Sequence, residues 1–143
     1  MRIRRATEKD IDKLASVEMS SGYHKNLLES DIRKLFVSFF RLSHPYAYIL
    51  EEKNKSIGYV SIRIAGSNGE IGYLALIRKY QGRGLGKLLL NKALSLCKQM
   101  KCNKIYLSVR QDNIRAINLY KKYGFETVGI NKRNKLLMER ILK

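Results

Sequence analysis

The chain has 143 residues, 45% of them hydrophobic, and a formal net charge of +17 at pH 7. This is one domain's worth of sequence, expected to form a single unit over residues 1–143 with a core of useful size. Cys97 and Cys102 are the only cysteines and have no His nearby, so neither a zinc site nor a disulfide framework is implied.

The start, Met1-Arg2-Ile3-Arg4-Arg5, lacks the apolar run of a signal peptide, and no stretch approaches the roughly 18 apolar residues of a membrane span. The expectation is a soluble, cytoplasmic, metal-free protein. Charge is unevenly spread: residues 1–70 hold 12 Lys/Arg against 9 Asp/Glu, and residues 71–143 hold 17 against 3. Such asymmetry suggests a polyanionic partner for the second half, either nucleic acid or a phosphorylated cofactor.

Arg2 to Ala6 has the character of an edge strand. Thr7 with Asp10 resembles a capping box, and Ile11, Leu14, Ala15 and Val17 then give a first helix that ends at Ser20-Ser21-Gly22. A second helix is expected over Leu27 to Leu42, with Ile32, Leu35, Phe36 and Phe39 on one face, and His44-Pro45 closes that segment. Tyr46 to Glu51 and Ile57 to Ile64 read as strands around the turn Lys53-Asn54-Lys55. Glu70 to Ile77 follows the turn Gly66-Ser67-Asn68-Gly69 as an antiparallel strand.

A third helix runs from Gly84 to about Met100, its expected apolar face being Leu85, Leu88, Leu89, Ala93, Leu96, Cys97 and Met100. Lys104 to Val109 is a buried-type strand. A short helix from Asn113 to Tyr123 stops at Gly124, and Glu126 to Ile130 and Leu136 to Ile141 form a final hairpin over Asn131-Lys132-Arg133-Asn134. Helices interleaved with a mostly antiparallel sheet make a mixed α/β fold, with a parallel strand pair flanking the third helix.

Strand, glycine loop and helix meet at Tyr73 to Leu90. Such a junction points free backbone N–H groups at an anion, and Arg78, Lys79, Arg83 and Lys87 add positive charge around it. The Walker pattern fails, because Gly86-Lys87 is followed by Leu88 and the position five before Gly86 is Gln81. The dinucleotide fingerprint fails on spacing, and no Asp or Glu from Ile71 through Gln111 is present to hold a ribose.

Gln81-x-x-Gly84-x-Gly86 does resemble the pyrophosphate loop of the GNAT superfamily, the acetyl-CoA-dependent N-acetyltransferases. Some 30 residues on, Asn113-Ile114-Arg115-Ala116-Ile117-Asn118-Leu119-Tyr120, running on to Gly124-Phe125, is similar to that family's second signature, Asn-x-x-Ala-x-x-Leu-Tyr-x-x-x-Gly-Phe, at every named position. The element order agrees along essentially the whole chain.

The resemblance implies acetyl-CoA as acetyl donor and an amine as acceptor. It also implies that backbone groups of Leu74, Ala75 and Leu76 pair with the pantetheine arm. Gln81, Gly82, Arg83, Gly84, Leu85 and Gly86, with Lys87, would hold the pyrophosphate. Asn113 would contact the pantetheine, and Tyr120 would sit beside the sulfur. One departure is Arg78-Lys79, where many members have Asp-Pro-Glu. Enzymes of the family that acetylate protein N-termini usually carry a longer, tyrosine-rich final hairpin, whereas here it is short and basic; a small amine, a lysine side chain and an N-terminus all remain as acceptors.

Acetyl transfer needs an amine stripped of its proton, a stabilised thioester oxygen and a protonated leaving thiolate. Leu76 N–H is the expected oxyanion donor, Tyr120 the acid and Glu70 the candidate base, with a water relay as the alternative. The charge split further predicts that Glu70 and at least one of Glu18, Glu29 and Asp31 face the acceptor cleft, and the loop around Tyr23 and His24 is a candidate for its wall. The competing readings are a basic nucleic-acid-binding module, for which no recognised motif is present, and a catalytically silent CoA-binding fold, against which Tyr120 argues.

Overall fold

The computed structural model describes residues 1–22 and 27–142. In chain order the elements are β1 (Arg2–Ala6), α1 (Ile11–Ser21), α2 (Glu29–Phe40), β2 (Pro45–Glu52), β3 (Lys55–Ala65), β4 (Asn68–Leu76), α3 (Gly86–Gln99), β5 (Lys104–Arg110), α4 (Ile114–Lys122), β6 (Glu126–Ile130) and β7 (Lys135–Ile141). All seven strands join one sheet in the order β1-β2-β3-β4-β5-β7-β6. Among the described residues only β4 and β5 pair in parallel, and α3 connects them. The last hairpin folds back so that β7, not β6, lies against β5.

Local chemistry sets the junctions. Thr7 and Asp10 form the expected capping box ahead of α1. Asp10 also takes two hydrogen bonds from the Arg4 guanidinium, at 3.1 and 2.9 Å, so β1 is tied to the start of that helix. Gly22 ends α1 in the left-handed region at φ 86°, and the β2–β3 hairpin turns on Lys53 and Asn54, both at positive φ as its tight turn requires.

Strand alternation divides β3 between two layers. Gly58 lies under Leu89 of α3, where an added Cβ would come within 3.2 Å of that side chain. Tyr59 faces the other way, edge-on to Phe36 of α2 with ring centroids 5.3 Å apart. The helix α3 therefore covers one face of the sheet, while α1 and α2 cover the other. Leu89, Leu90, Ala93, Leu94, Leu96 and Cys97 are the buried residues of α3.

That arc differs from the expected one. Leu90 and Leu94 are inside, Met100 is exposed, and Leu85 and Leu88 are only partly covered. The helix also begins one half-turn later than the sequence pattern suggested, because Gly82 and Gly84 both sit at φ +77° and cannot belong to a right-handed helix.

Two features of β4 shape everything beyond it. Tyr73 pairs with Ser61 of β3 and Ile71 with Ile62, so Gly72 is an extra residue, a β-bulge. The bulge turns Glu70 and Tyr73, three residues apart, toward the same face, opposite Arg63 and Ser61. Pairing of β4 with β5 stops at Ile71 and Leu107, although β4 stays bonded to β3 as far as Leu76 and β5 to β7 as far as Arg110. The two central strands thus part company in mid-sheet.

Close packing of α3 on β4 gives a direct test. A Cβ at Gly69 would fall inside the van der Waals envelope of Cys97 Sγ, and overpacking of this kind costs about 1–3 kcal/mol. Gly69→Ala is expected to lower unfolding stability in urea by that order, and the penalty should shrink in a Cys97→Ala background. Equal penalties in both backgrounds would show that Sγ is not the obstacle.

Candidate active site

Where β4 and β5 diverge, the structure opens a cavity of about 870 Å³. Its floor is the free edge of β4. Ile77 N–H donates to Ile57 O of β3 at 2.9 Å, and Tyr73 N–H to Ser61 Oγ at 2.9 Å. Alternation then turns the N–H and C=O groups of Leu74 and Leu76 toward the gap. Ala75 lies between them, and all three residues line the cavity. An extended ligand laid along this edge would replace the missing strand.

One end of the gap is the N-terminus of α3. Its first turn has no side-chain cap and no acidic residue, so its leading amides remain open to an anion. Gly82, Gly84, Leu85, Gly86 and Lys87 line this end. A Cβ at Gly84 would meet nothing closer than Lys87 Cε at 3.9 Å, so the space over the loop is clear. Arg110, Arg115, Arg133 and Lys135 line the same cavity, the last two reaching it from the final hairpin. Open amides, cleared space and surrounding cations fit the pyrophosphate of a ligand such as acetyl-CoA.

Two of the expected cradle side chains have other partners. Arg83 stacks its guanidinium over the Tyr80 ring, 5.1 Å from the centroid, and does not line the cavity. Gln81 lines it, but its side-chain amide is committed: Nε2 donates to Leu76 O at 2.9 Å and to Ser21 O at 3.0 Å. It braces the end of β4 against the end of α1. Arg78 and Lys79 are also outside the cavity. Arg78 packs over Gly22 at the C-terminus of α1, and the Lys79 ammonium lies 5.5 Å from the Tyr80 centroid.

Across the gap stands α4. Asn113 caps it, its Oδ1 accepting from Ala116 N–H at 3.2 Å, and lines the cavity as well. Tyr120 is 6% exposed, packs against Phe125 with centroids 5.6 Å apart, and lines the cavity from the other side of the gap. Gly124 then ends the α4 region at φ 87° and lets Phe125 turn back under Tyr120.

Two carboxylates are among the lining residues, Glu70 and Glu18. Glu70 sits on β4 between Arg63 of β3 and Tyr106 of β5. Burial, and after it the Glu70 charge, pushes the Tyr106 phenol above its ordinary value. Glu18 is 4% exposed on the inner face of α1 and accepts a hydrogen bond from the fully buried Tyr59 hydroxyl. Burial chiefly, then the Glu18 charge, holds the Tyr59 phenol well above its usual range, so that it stays a donor. Glu29 and Asp31 lie at the start of α2 and line no part of the cavity. Tyr23 and His24, considered for the same wall, fall outside the described residues.

The sequence reading missed the cations of the second half that line the gap, Arg110, Arg115, Arg133 and Lys135, because their approach depends on tertiary placement. The bulge had a signal: an isolated glycine, Gly72, inside a strand pattern. Among the described residues no group of His, Cys, Asp and Glu could hold a metal ion, and no helix is long and apolar enough to cross a membrane.

Comparison with known proteins agrees with this geometry. The model of the acetyltransferase (GNAT) family matches residues 10–125. A Bacillus subtilis (strain 168) protein, provisionally named a ribosomal protein bS18-alanine N-acetyltransferase, is 32% identical over 132 residues, 91% of this chain and 83% of that one. An N-alpha-acetyltransferase of Sulfurisphaera tokodaii is 27% identical over 142 residues, 90% and 82% of the two chains. The PaiA N-acetyltransferase of Thermoplasma acidophilum, solved with coenzyme A, superimposes with a TM-score of 0.82 over 99% of both chains at 20% identity, a likeness of fold. With the family model spanning most of its length and a relative at 32% identity, this chain belongs to the GNAT family and transfers an acetyl group from acetyl-CoA to an amine.

Proposed function

We propose that the acceptor is the α-amino group of a peptide or protein, and that Tyr120, Leu76 and Glu70 carry the chemistry. What carries the mechanistic reading is the meeting, on one cavity, of the open edge of β4, the uncapped N-terminus of α3 and Tyr120. The acceptor class rests on the alanine and N-alpha specificities in the names of the two relatives. The short basic hairpin does not weigh against it, since Arg133 and Lys135 serve the cavity that takes the phosphates.

Acetyl-CoA supplies the acetyl group as an activated thioester. The open amides of α3, with Lys87 and Arg115, hold its pyrophosphate. Leu74 hydrogen-bonds its extended arm as a strand would, and Leu76 N–H, whose own carbonyl is held by Gln81, stabilises the charge that gathers on the thioester oxygen. Glu70 accepts a proton from the attacking amine, directly or through a water. The new C–N bond forms as the C–S bond breaks, and Tyr120 O–H gives its proton to the departing sulfur. A phenol suits this task, because it keeps its proton near neutral pH yet yields it to a basic thiolate. Proton exchange with water then restores Tyr120 and Glu70.

Three variants test these roles. Tyr120→Phe should lower kcat by about 10²-fold with the KM for acetyl-CoA little changed; an unchanged kcat would return Tyr120 to packing on Phe125. Gly84→Glu puts a carboxylate where the pyrophosphate sits, and titration calorimetry should find acetyl-CoA binding lost while circular dichroism remains that of the folded protein. Persisting micromolar affinity would dismiss the cradle. Glu70→Gln should lower kcat if Glu70 takes the proton, whereas an acceptor KM that rises at low salt with kcat intact would make it only an attractor of the cationic amine.

A further inference from the structure

Behind the shared wall of the active-site cavity lies a second cavity of about 280 Å³, between α2 and the sheet. Glu18, Glu70, Gly72 and Tyr73 line both, so the two cavities adjoin at these residues. Its character is different. Ile32, Leu35, Phe36, Phe39 and Leu42 from α2 and the segment after it make one side, and Tyr59, Ser61 and Arg63 of β3 make the other. This is the face of α2 whose spacing marked it for the core, yet Leu35 remains 47% exposed and Phe39 is only partly buried. The apolar stripe is wider than the sheet beneath it fills.

We propose that this cavity receives a large apolar side chain from the first two residues of the peptide acceptor, with Glu18 holding the acceptor ammonium at its mouth. The proposal rests on the peptide α-amine reading given above and adds the specificity. Both carboxylates lie at the shared wall, between the apolar cavity and the donor cavity. The other charged residues lining the donor cavity are cations, which repel an amine and leave it that one place. Beyond the wall no further acid lines the second cavity among the described residues. The charge found there is the Arg63 guanidinium, whose Nε is buried without a hydrogen-bond partner among the described residues. A second ammonium, as in a polyamine, would be stripped of water beside phenylalanine, leucine and a like charge. An apolar side chain meets none of these costs and covers surface that α2 otherwise leaves open.

The test is steady-state thiol release at saturating acetyl-CoA with peptides that share one sequence beyond residue 2. Residues 1 and 2 are varied in turn through Leu, Phe, Ala and Asp, and spermidine is run alongside. The expected result is a kcat/KM at least about 10-fold higher for Leu or Phe than for Asp at one of the two positions, the scale on which apolar pockets discriminate. Spermidine should be poorer than the best peptide. Leu35→Glu, at a half-exposed position that tolerates charge, should reduce the Leu-over-Asp ratio by at least about 10-fold. Glu18→Gln should raise the acceptor KM while acetyl-CoA affinity by calorimetry is kept.

Peptide acetylation with no preference at either position, a better rate with spermidine, or an unaltered ratio in Leu35→Glu would overturn the subsite. Each of those outcomes would leave acetyl transfer itself standing. Failure to release thiol with any amine would overturn the enzymatic reading and this proposal with it.

Discussion

The constraint on which the site depends is the parting of β4 from β5 after Ile71 and Leu107. A parallel pair in mid-sheet normally bonds along its whole length, since buried backbone groups left without partners are costly. Here β4 is held by β3 on one edge as far as Leu76, while β5 is held by β7 as far as Arg110. Each strand is anchored on its outer side, so the gap between them stays open instead of collapsing. The bulge at Gly72 falls one residue after the last parallel pair, and a bulge bends and twists its strand more sharply. A Cβ there would stand 2.9 Å from Ser61 Oγ, the same hydroxyl that accepts from Tyr73 N–H. Glycine therefore leaves room for that hydroxyl at the point where the sheet opens.

The charge distribution follows the same geometry. The strongly basic second half supplies Lys87, Arg110, Arg115, Arg133 and Lys135 to one cavity, and the two acids of its lining come from the first half of the chain. A basic protein must admit a cationic amine against its own field. The entry proposed for it is at Glu18 and Glu70, on the side of the sheet covered by α1 and α2. In that proposal donor and acceptor approach through regions of opposite sign on either side of the sheet edge.

Much of this was legible from the chain. The glycine loop and the Asn113-to-Phe125 signature fixed the family resemblance, and the order of elements followed from periodicity and turn residues such as Gly22, Asn54 and Gly124. What the sequence hid were effects of tertiary placement. Arg83 and Arg78 looked like phosphate ligands by proximity in sequence, but an aromatic ring and a glycine at a helix end offered them nearer partners. Arg133 and Lys135, 50 residues from the loop, reach its cavity because β7 folds back against β5. The face of α2 read as core, and its excess apolar width became visible only once the sheet beneath it was known.

One amide joins the two sides of the reaction. Gln81 Nε2 carries two protons and uses both, on Leu76 O at the end of β4 and on Ser21 O at the end of α1. Ser21 Oγ in turn donates to Glu18 O at 2.6 Å. The strand residue proposed to stabilise the thioester oxygen and the helix carrying the proposed ammonium anchor are therefore linked through a single side chain within the glycine loop. Reacting groups must be held within about half an ångström of their productive positions for orientation to contribute fully. Gln81 ties the glycine loop to the end of β4 and to the end of α1, the two elements that must keep register with it. Its side-chain amide therefore positions the strand and the helix, and the proposed anion site consists of the backbone amides with Lys87 and the cations of α4 and the final hairpin.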